Sequence, residues 1–393
     1  MKSRILLLFS LFCWHSSLIS QTSIDKILGE IEKNNTTLSA LRSNITAEKI
    51  GNRTGLALQN PEFEFHYLWG DPTTIGNRID INVKQTFDFP TAYVYKNQIA
   101  NNRNDQSDID YQKQRNSVLR RTRLILVDLI YANALQTLTN RRFLQAQLIA
   151  DAYRKKMDAG EANILEFNKA QLFLLNLRKE AETSGINREA LLSELASYNA
   201  GVPIDFSDTV YTYSIIPKEF DQWYQQSLQQ IPELNLIKNE ITFSYKQQQL
   251  STALSLPKFS AGYMSEKVIN QQLQGIIAGI SIPLWENKNK VKFAKARTIA
   301  LQSMEADRKS QLYNQLKTYH TKIIGLQKTV FDYQTSLQSF VNTELLYKAL
   351  EKGEISLLEY ILELSVYYSS ATNLLETEKE INKTIVELYQ YKQ

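Results

Sequence analysis

Glu62-Phe63-Glu64-Phe65-His66-Tyr67-Leu68-Trp69 and Ile79-Asp80-Ile81-Asn82-Val83-Lys84-Gln85-Thr86-Phe87 are the stretches on which the fold turns. Both alternate with period two, the pattern of a strand with two unlike faces. Phe63, Phe65, Tyr67 and Trp69 share one face of the first; Glu62, Glu64 and His66 share the other, with Leu68 the exception. In the second, Ile79, Ile81, Val83 and Phe87 oppose Asp80, Asn82 and Lys84. Gly70-Asp71-Pro72 through Asn77 supplies turn formers between them, so the pair reads as a β-hairpin. A weaker pair follows in the second half of the chain. There Phe259, Ala261 and Tyr263 share a face, Ile276, Ala278, Ile280 and Ile282 share another, and Ser265 through Gly275 reads as the connecting loop.

Aromatics on one face and charges on the other suit a wall between lipid and water, and equally a half-buried sheet in water. Lipid does not tolerate open sheet edges, and known outer-membrane barrels need about eight or more strands. Four strands therefore belong to a barrel shared between chains, or the sheet is not in a membrane at all.

The rest of the chain is helical in character. Thr91 to Ala159 contains no Gly or Pro, and Leu284 to Lys352 contains only Gly325. Each stretch is about 69 residues, roughly 100 Å if helical throughout. Good helix formers dominate both, and apolar residues recur at helical spacing, as in Leu124, Val127, Tyr131, Leu135 and Leu138. Such length without a break predicts coiled coils. Gly160 and Gly353 end these helices, and Glu166 to Tyr198 and Glu359 to Tyr391 run back, giving two long helical hairpins.

Internal matches tie the halves together. Pro61-Glu62-Phe63 is echoed by Pro257-Lys258-Phe259, and Leu38, Ile45 and Thr46 by Leu234, Ile241 and Thr242, at an offset of 196 residues. Gly160-Glu161 matches Gly353-Glu354, Leu165-Glu166-Phe167 matches Leu358-Glu359-Tyr360, and Glu194-Leu195 matches Glu387-Leu388, at an offset of 193. Two near-equal offsets, in order, indicate a tandem duplication. The expected organisation is a first repeat over 21–201, a linker over 202–218 and a second repeat over 219–393.

Residues 1–20 carry the three-part layout of a secretory signal: Lys2 and Arg4, an apolar run from Ile5 to Trp14, then a short polar region. Cys13, the one cysteine, falls inside it and follows Phe12 rather than a small residue, so no lipid anchor is expected. The mature chain then has no thiol for a disulfide, metal or nucleophile. Its formal charge falls from +4 to about +2, with no basic footprint for nucleic acid. His66 and His320 are far apart and without partners at metal spacing, and no nucleophile elbow, triad or phosphate loop is present. His66 is expected on the polar strand face and His320 on a helix surface. Nothing points to an enzyme or to a cofactor.

The order of helix, strand pair, long helical hairpin and linker, given twice behind an export signal, resembles the TolC family of outer-membrane efflux proteins over essentially the whole mature chain. The local likeness lies in the hairpin turns, where Gly160 precedes Glu166 and Gly353 precedes Glu359 by six residues, in Pro61 and Pro257 opening strands, and in Pro283-Leu284-Trp285 after the fourth strand. The resemblance implies a mainly α fold. Long antiparallel helical hairpins form an α-barrel part, and two short β-hairpins give four strands to a shared transmembrane β-barrel. It implies a homotrimer in the outer membrane of a Gram-negative bacterium, with the helices in the periplasm. It also implies a periplasmic membrane-fusion adaptor and an inner-membrane pump, of the resistance-nodulation-division type, as partners.

The resemblance places adaptor docking at the hairpin tips, on Arg154, Lys155, Asp158, Gly160 and Glu161, and on Lys348, Glu351, Gly353 and Glu354. It places a pore constriction at Glu359. The second acid of the family's gate falls on Leu362 here, a departure for which the neighbouring Glu363 is the candidate substitute. Phe63, Phe65, Tyr67, Trp69, Ile79, Ile81, Val83, Tyr263 and Ile280 are the lipid-facing positions. The chain's character leans toward the heavy-metal (cation) branch. The competing reading is a periplasmic coiled-coil adaptor or scaffold without a barrel, against which two hairpins and two strand pairs argue.

Overall fold

The computed structural model describes residues 23–212, 215–339 and 343–391. The expected signal peptide lies outside them. Helix α1 covers residues 23–34 and α2 spans Thr36–Gly51. Strands β1 (Glu62–Trp69) and β2 (Asn77–Phe87) lead into α3 (Pro90–Asp158), and α4 (Ile164–Tyr198) returns. After the linker come α5 (Phe220–Ser227), α6 (Pro232–Ala253), β3 (Lys258–Val268) and β4 (Gln271–Ser281). The chain continues through α7 (Lys290–Ser339), α8 (Thr343–Glu351) and α9 (Leu357–Leu388). The fold is thus mainly α with one four-stranded antiparallel sheet, in the order β1-β2-β3-β4.

Helix α3 runs unbroken for 69 residues, as the absence of Gly and Pro predicts. Its second counterpart differs. It begins at Lys290 rather than Leu284, because 286–289 form turns ending at Asn289 with φ 65. It is described as two helices, with 340–342 outside the described residues. Along α3 the apolar stripe is broader than the expected seam. Ile125, Leu126, Val127, Leu129 and Ile130 are all buried, while Leu124, Tyr131, Leu135 and Leu138 are half-buried. A helix packed on several sides buries more than one face.

The expected loop from Ser265 to Gly275 is mostly strand. Only Ile269 and Asn270 turn, with Asn270 at φ 59, a conformation Asn tolerates because its side chain bonds locally. Alternation is hard to read there because consecutive polar residues, Ser265-Glu266-Lys267 and Gln271-Gln272, occupy both faces. Ile282 falls just past the end of β4.

Two compact units emerge, and each draws on both halves of the chain. One comprises the chain up to Ser39, Gln114–Ser227 and the chain from Tyr313 on; the other comprises Ala40–Lys113 and Leu228–Leu312. In the first unit, the linker is part of the core. Phe206 and Tyr211 are buried with Ile27, Ile31, Ile125 and Leu195. The Asn133 side-chain amide donates to the Asp208 carbonyl at 2.9 Å, and the Tyr211 hydroxyl donates to the Val127 carbonyl at 3.0 Å. His320 is likewise not on an open helix surface. Its ring meets the Pro217 carbonyl at 2.7 Å and packs beside Phe220. A segment without regular structure can be buried only if its backbone polar groups find partners, and these side chains supply them.

Candidate functional site

Both hairpin tips are built by the same local chemistry. At the first, Gly160 adopts φ 76, and the Glu161 N–H donates to the Lys156 carbonyl at 2.7 Å. At the second, Gly353 adopts φ 74, and the Glu354 N–H donates to the Ala349 carbonyl at 2.9 Å. A left-handed residue at this place lets the turn cap the last helical carbonyls, and glycine takes it without a Cβ penalty. Three residues on, Asn163 and Ser356 cap the return helices. The Asn163 side chain accepts the Glu166 N–H at 3.0 Å, and the Glu166 carboxylate accepts the Asn163 N–H at 3.1 Å. Ser356 accepts the Glu359 N–H at 3.2 Å, and the Glu359 carboxylate accepts the Ser356 N–H at 2.7 Å. The six-residue interval from glycine to acid is therefore the distance from a helix stop to the third residue of the next capping box.

This assigns Glu359 a structural bond that sequence reasoning missed. The backbone N–H of Ser356 holds its carboxyl below the usual carboxylate range. Glu363 lies one turn further along α9, on the same exposed face. It borders an open groove of about 660 Å³ with Asp332, Tyr333, Val366 and Tyr367. Arg154, Lys155, Asp158, Gly160, Glu161, Lys348, Glu351, Gly353 and Glu354 are all exposed around the two turns. Lys348 pairs with Glu344 at 3.0 Å.

Beneath the tips one core joins both hairpins. Ile149, Ala150 and Tyr153 of α3 and Ala170 of α4 meet Leu350, Leu357, Tyr360, Leu364 and Tyr368. Burial pushes the Tyr360 hydroxyl up to about 12. The Tyr368 hydroxyl donates to Gln145 at 2.6 Å, and Arg142 lies over the Tyr368 ring while pairing with Glu180 at 2.7 Å. The spacing of 357, 360, 364 and 368 on α9 was the available signal for this seam.

In the other unit the sheet gathers the predicted strand positions. Register sets Tyr67 opposite Ile79, Phe65 opposite Ile81 and Phe63 opposite Val83. Val83 then faces Tyr263, and Phe259 faces Ile280. All nine named positions, with Trp69, lie on one face because opposed residues share a face. Trp69 is 79% exposed, Phe63 67% and Ile280 62%. The opposite face carries Glu62 with Lys84, and Arg78 with Asp80 and Glu266, at 2.8 to 3.7 Å. His66 sits there, opposite Asp80. Strands β1 and β4 end the sheet, each with an edge that no strand pairs among the described residues. Among the described residues no group of three or more His, Cys, Asp or Glu could hold a metal, and no helix is long and apolar enough to cross a membrane.

No family model matches the chain, and no curated protein matches it. Solved structures do. The Campylobacter jejuni CmeC outer membrane channel matches 94% of this chain and 85% of its own, with TM-score 0.74 and 16% identity. CusC, described for folding and transmembrane channel formation, matches with TM-score 0.77 at 13% identity, covering 94% of this chain and 92% of its own. The open-state Neisseria gonorrhoeae MtrE outer membrane channel gives TM-score 0.74 at 12% identity, covering 94% and 88%. Each of these neighbours is described as a channel. Taken with the duplicated hairpins and the two-faced sheet, they establish that this chain has the fold of the TolC-family outer-membrane efflux channels.

Proposed function

We propose that the chain is one protomer of a trimeric duct in the outer membrane of a Gram-negative bacterium, passively conducting what an inner-membrane pump exports. The observation that carries this reading is the sheet: one exposed apolar and aromatic face, one ion-paired face and two open edges. Pairing β4 of one copy with β1 of the next closes such a sheet without edges, which lipid requires. The helices support the same closure. Leu165, Leu172 and Leu175 of α4 and Leu358, Leu362 and Val366 of α9 form two exposed apolar stripes. Two unlike stripes on one chain suit a head-to-tail ring. The repeats 21–201 and 219–393, joined by the packed strap between them, would then each supply one hairpin to the wall.

The tips are the docking surface for a periplasmic adaptor, through Arg154, Lys155, Asp158, Gly160 and Glu161 and through Lys348, Glu351, Gly353 and Glu354. Glu359 and Glu363 form the acidic constriction. Glu359 is anchored by its cap, so Glu363 is the acid free to meet a permeating cation.

Membrane fractionation, unheated gel electrophoresis and planar-bilayer recording of the purified protein test this. An outer-membrane trimer that conducts is expected. A soluble, non-conducting protein would remove the barrel and leave a periplasmic scaffold. Within the duct, Glu363→Gln should relieve cation block more than Glu359→Gln; the reverse order would return the constriction to Glu359.

A further inference from the structure

The chain leaving β4 reads Ile282-Pro283-Leu284-Trp285-Glu286-Asn287-Lys288-Asn289-Lys290-Val291-Lys292-Phe293-Ala294-Lys295-Ala296-Arg297. Five cations fall in ten residues, and no Asp or Glu occurs from Asn287 to Met304. Lys288, Lys290, Lys292, Lys295 and Arg297 are all exposed, and none forms an ion pair among the described residues. The nearest acid in sequence, Glu286, is held by Lys258 at 3.3 Å. Glu240 borders the same groove as Lys290 and Arg297 without pairing with either. The Lys290 ammonium donates to the Asn287 side-chain oxygen at 2.9 Å.

This placement is unfavourable for the helix that carries it. Helix α7 starts at Lys290 with no acid in its first turn, and cations there oppose the positive end of the helix dipole. Side chains on a helix lean toward its N-terminus, so these cations reach back toward the end of β4. Immediately before them the apolar side chains are open: Leu284 is 68% exposed and Trp285 80%. The corresponding place in the first repeat is built otherwise. There Asp88 is buried and pairs with Lys96 at 2.8 Å, and no cation cluster follows. The basic run is therefore no requirement of the strand-to-helix turn.

We propose that Ile282 to Arg297 is a docking surface for anionic phospholipid headgroups at the rim of the sheet, with Leu284 and Trp285 entering the acyl boundary and the five cations meeting phosphates. The proposal rests on the membrane reading given above. Exposed Trp beside a basic run is the composition that interfaces and anionic leaflets select. A free polyanion would use the cations but leave Leu284 and Trp285 without a role.

The test uses the purified full chain in a flotation assay with phosphatidylcholine vesicles and with phosphatidylcholine–phosphatidylglycerol vesicles, at low and high salt. The expected result is capture by both, with roughly tenfold preference for the anionic vesicles, lost at high salt. Replacing Lys288, Lys290, Lys292, Lys295 and Arg297 together by Gln should abolish the preference yet leave capture by phosphatidylcholine, which also shows that the variant folds. Trp285→Ser should weaken capture by both. Equal capture of the wild type by both vesicles, or a preference that survives the five substitutions, overturns the lipid site while the membrane reading stands. No capture of the wild type by either vesicle overturns both.

Discussion

The two hairpin tips and the two strand pairs have diverged to different degrees. The tips are nearly superposable in chemistry: a left-handed glycine, then a cap, then a carboxylate returning to the cap's own N–H. The strand pairs share their direction, the opening Pro-x-Phe and an apolar face, and little else. The first turns through seven residues and carries Phe63, Phe65, Tyr67 and Trp69; the second turns at Ile269 and Asn270 and carries Gly275 and Gly279. A turn geometry is fixed by a few backbone demands, so substitution there has few alternatives. A face is fixed only by polarity and volume, and many sequences satisfy it.

The largest expected effect comes from the sheet. Gly262 lies where a Cβ would meet the Val83 carbonyl oxygen at 2.3 Å, whereas a Cβ at Gly275 would meet only the Met264 side chain at 3.9 Å. Gly262→Ala should therefore abolish the trimer on an unheated gel, and Gly275→Ala should leave it. Equal outcomes would show that the second strand pair is looser than its register implies. Next is a pair of matched positions. Tyr360 is 1% exposed and Phe167, its counterpart, is half-buried. Tyr360→Ala should cost about 3–5 kcal/mol in denaturant unfolding and Phe167→Ala less than half of that. Similar losses would make the hairpins equivalent below the tips as well as at them.

The caps should give smaller and equal effects. Asn163→Ala and Ser356→Ala should each cost about 1 kcal/mol, read by hydrogen exchange in the first turns of α4 and α9. A Cβ added at Gly160 or at Gly353 meets no neighbouring atom, so the cost of replacing both by Val lies mainly in the left-handed backbone and is local. Trimers should persist while capture by an adaptor falls; lost trimers would remove both residues from the docking surface. The smallest effect is on acidity. The carboxyl of Glu359 is held low, so its contribution is complete above the ordinary carboxylate range and is lost as pH falls through the lowered value. Protection of the second tip should drop on strong acidification, and Glu359→Gln should flatten that dependence.

Much of this is legible in the sequence. β1 begins and ends where its alternation does, and α3 covers the stretch free of Gly and Pro. The glycine-to-acid interval was visible too, but not its meaning, because a capping box is a pair of bonds and only one member is a carboxylate. The burial of the linker was not legible, because Pro203 and Pro217 signal irregular backbone, and irregular backbone says nothing of burial. Phe206 and Tyr211 were the clue. The late start of α7 was hidden because Trp285 to Asn289 contains no Gly or Pro, and Asn289 turns the chain in their place.

The open edges of β1 and β4 also set a schedule for the molecule's life. If the chain is an exported protomer as proposed, it carries two rows of unpaired backbone groups until its neighbours arrive, and such rows are templates for pairing with other strands. On the proposed reading, a lone copy has no stable resting place in lipid, so insertion and assembly are one event, and its rate depends on how many copies are waiting. A cell that makes too few would have none in the membrane rather than a few. One that makes too many would depend on an escort to keep the idle edges apart.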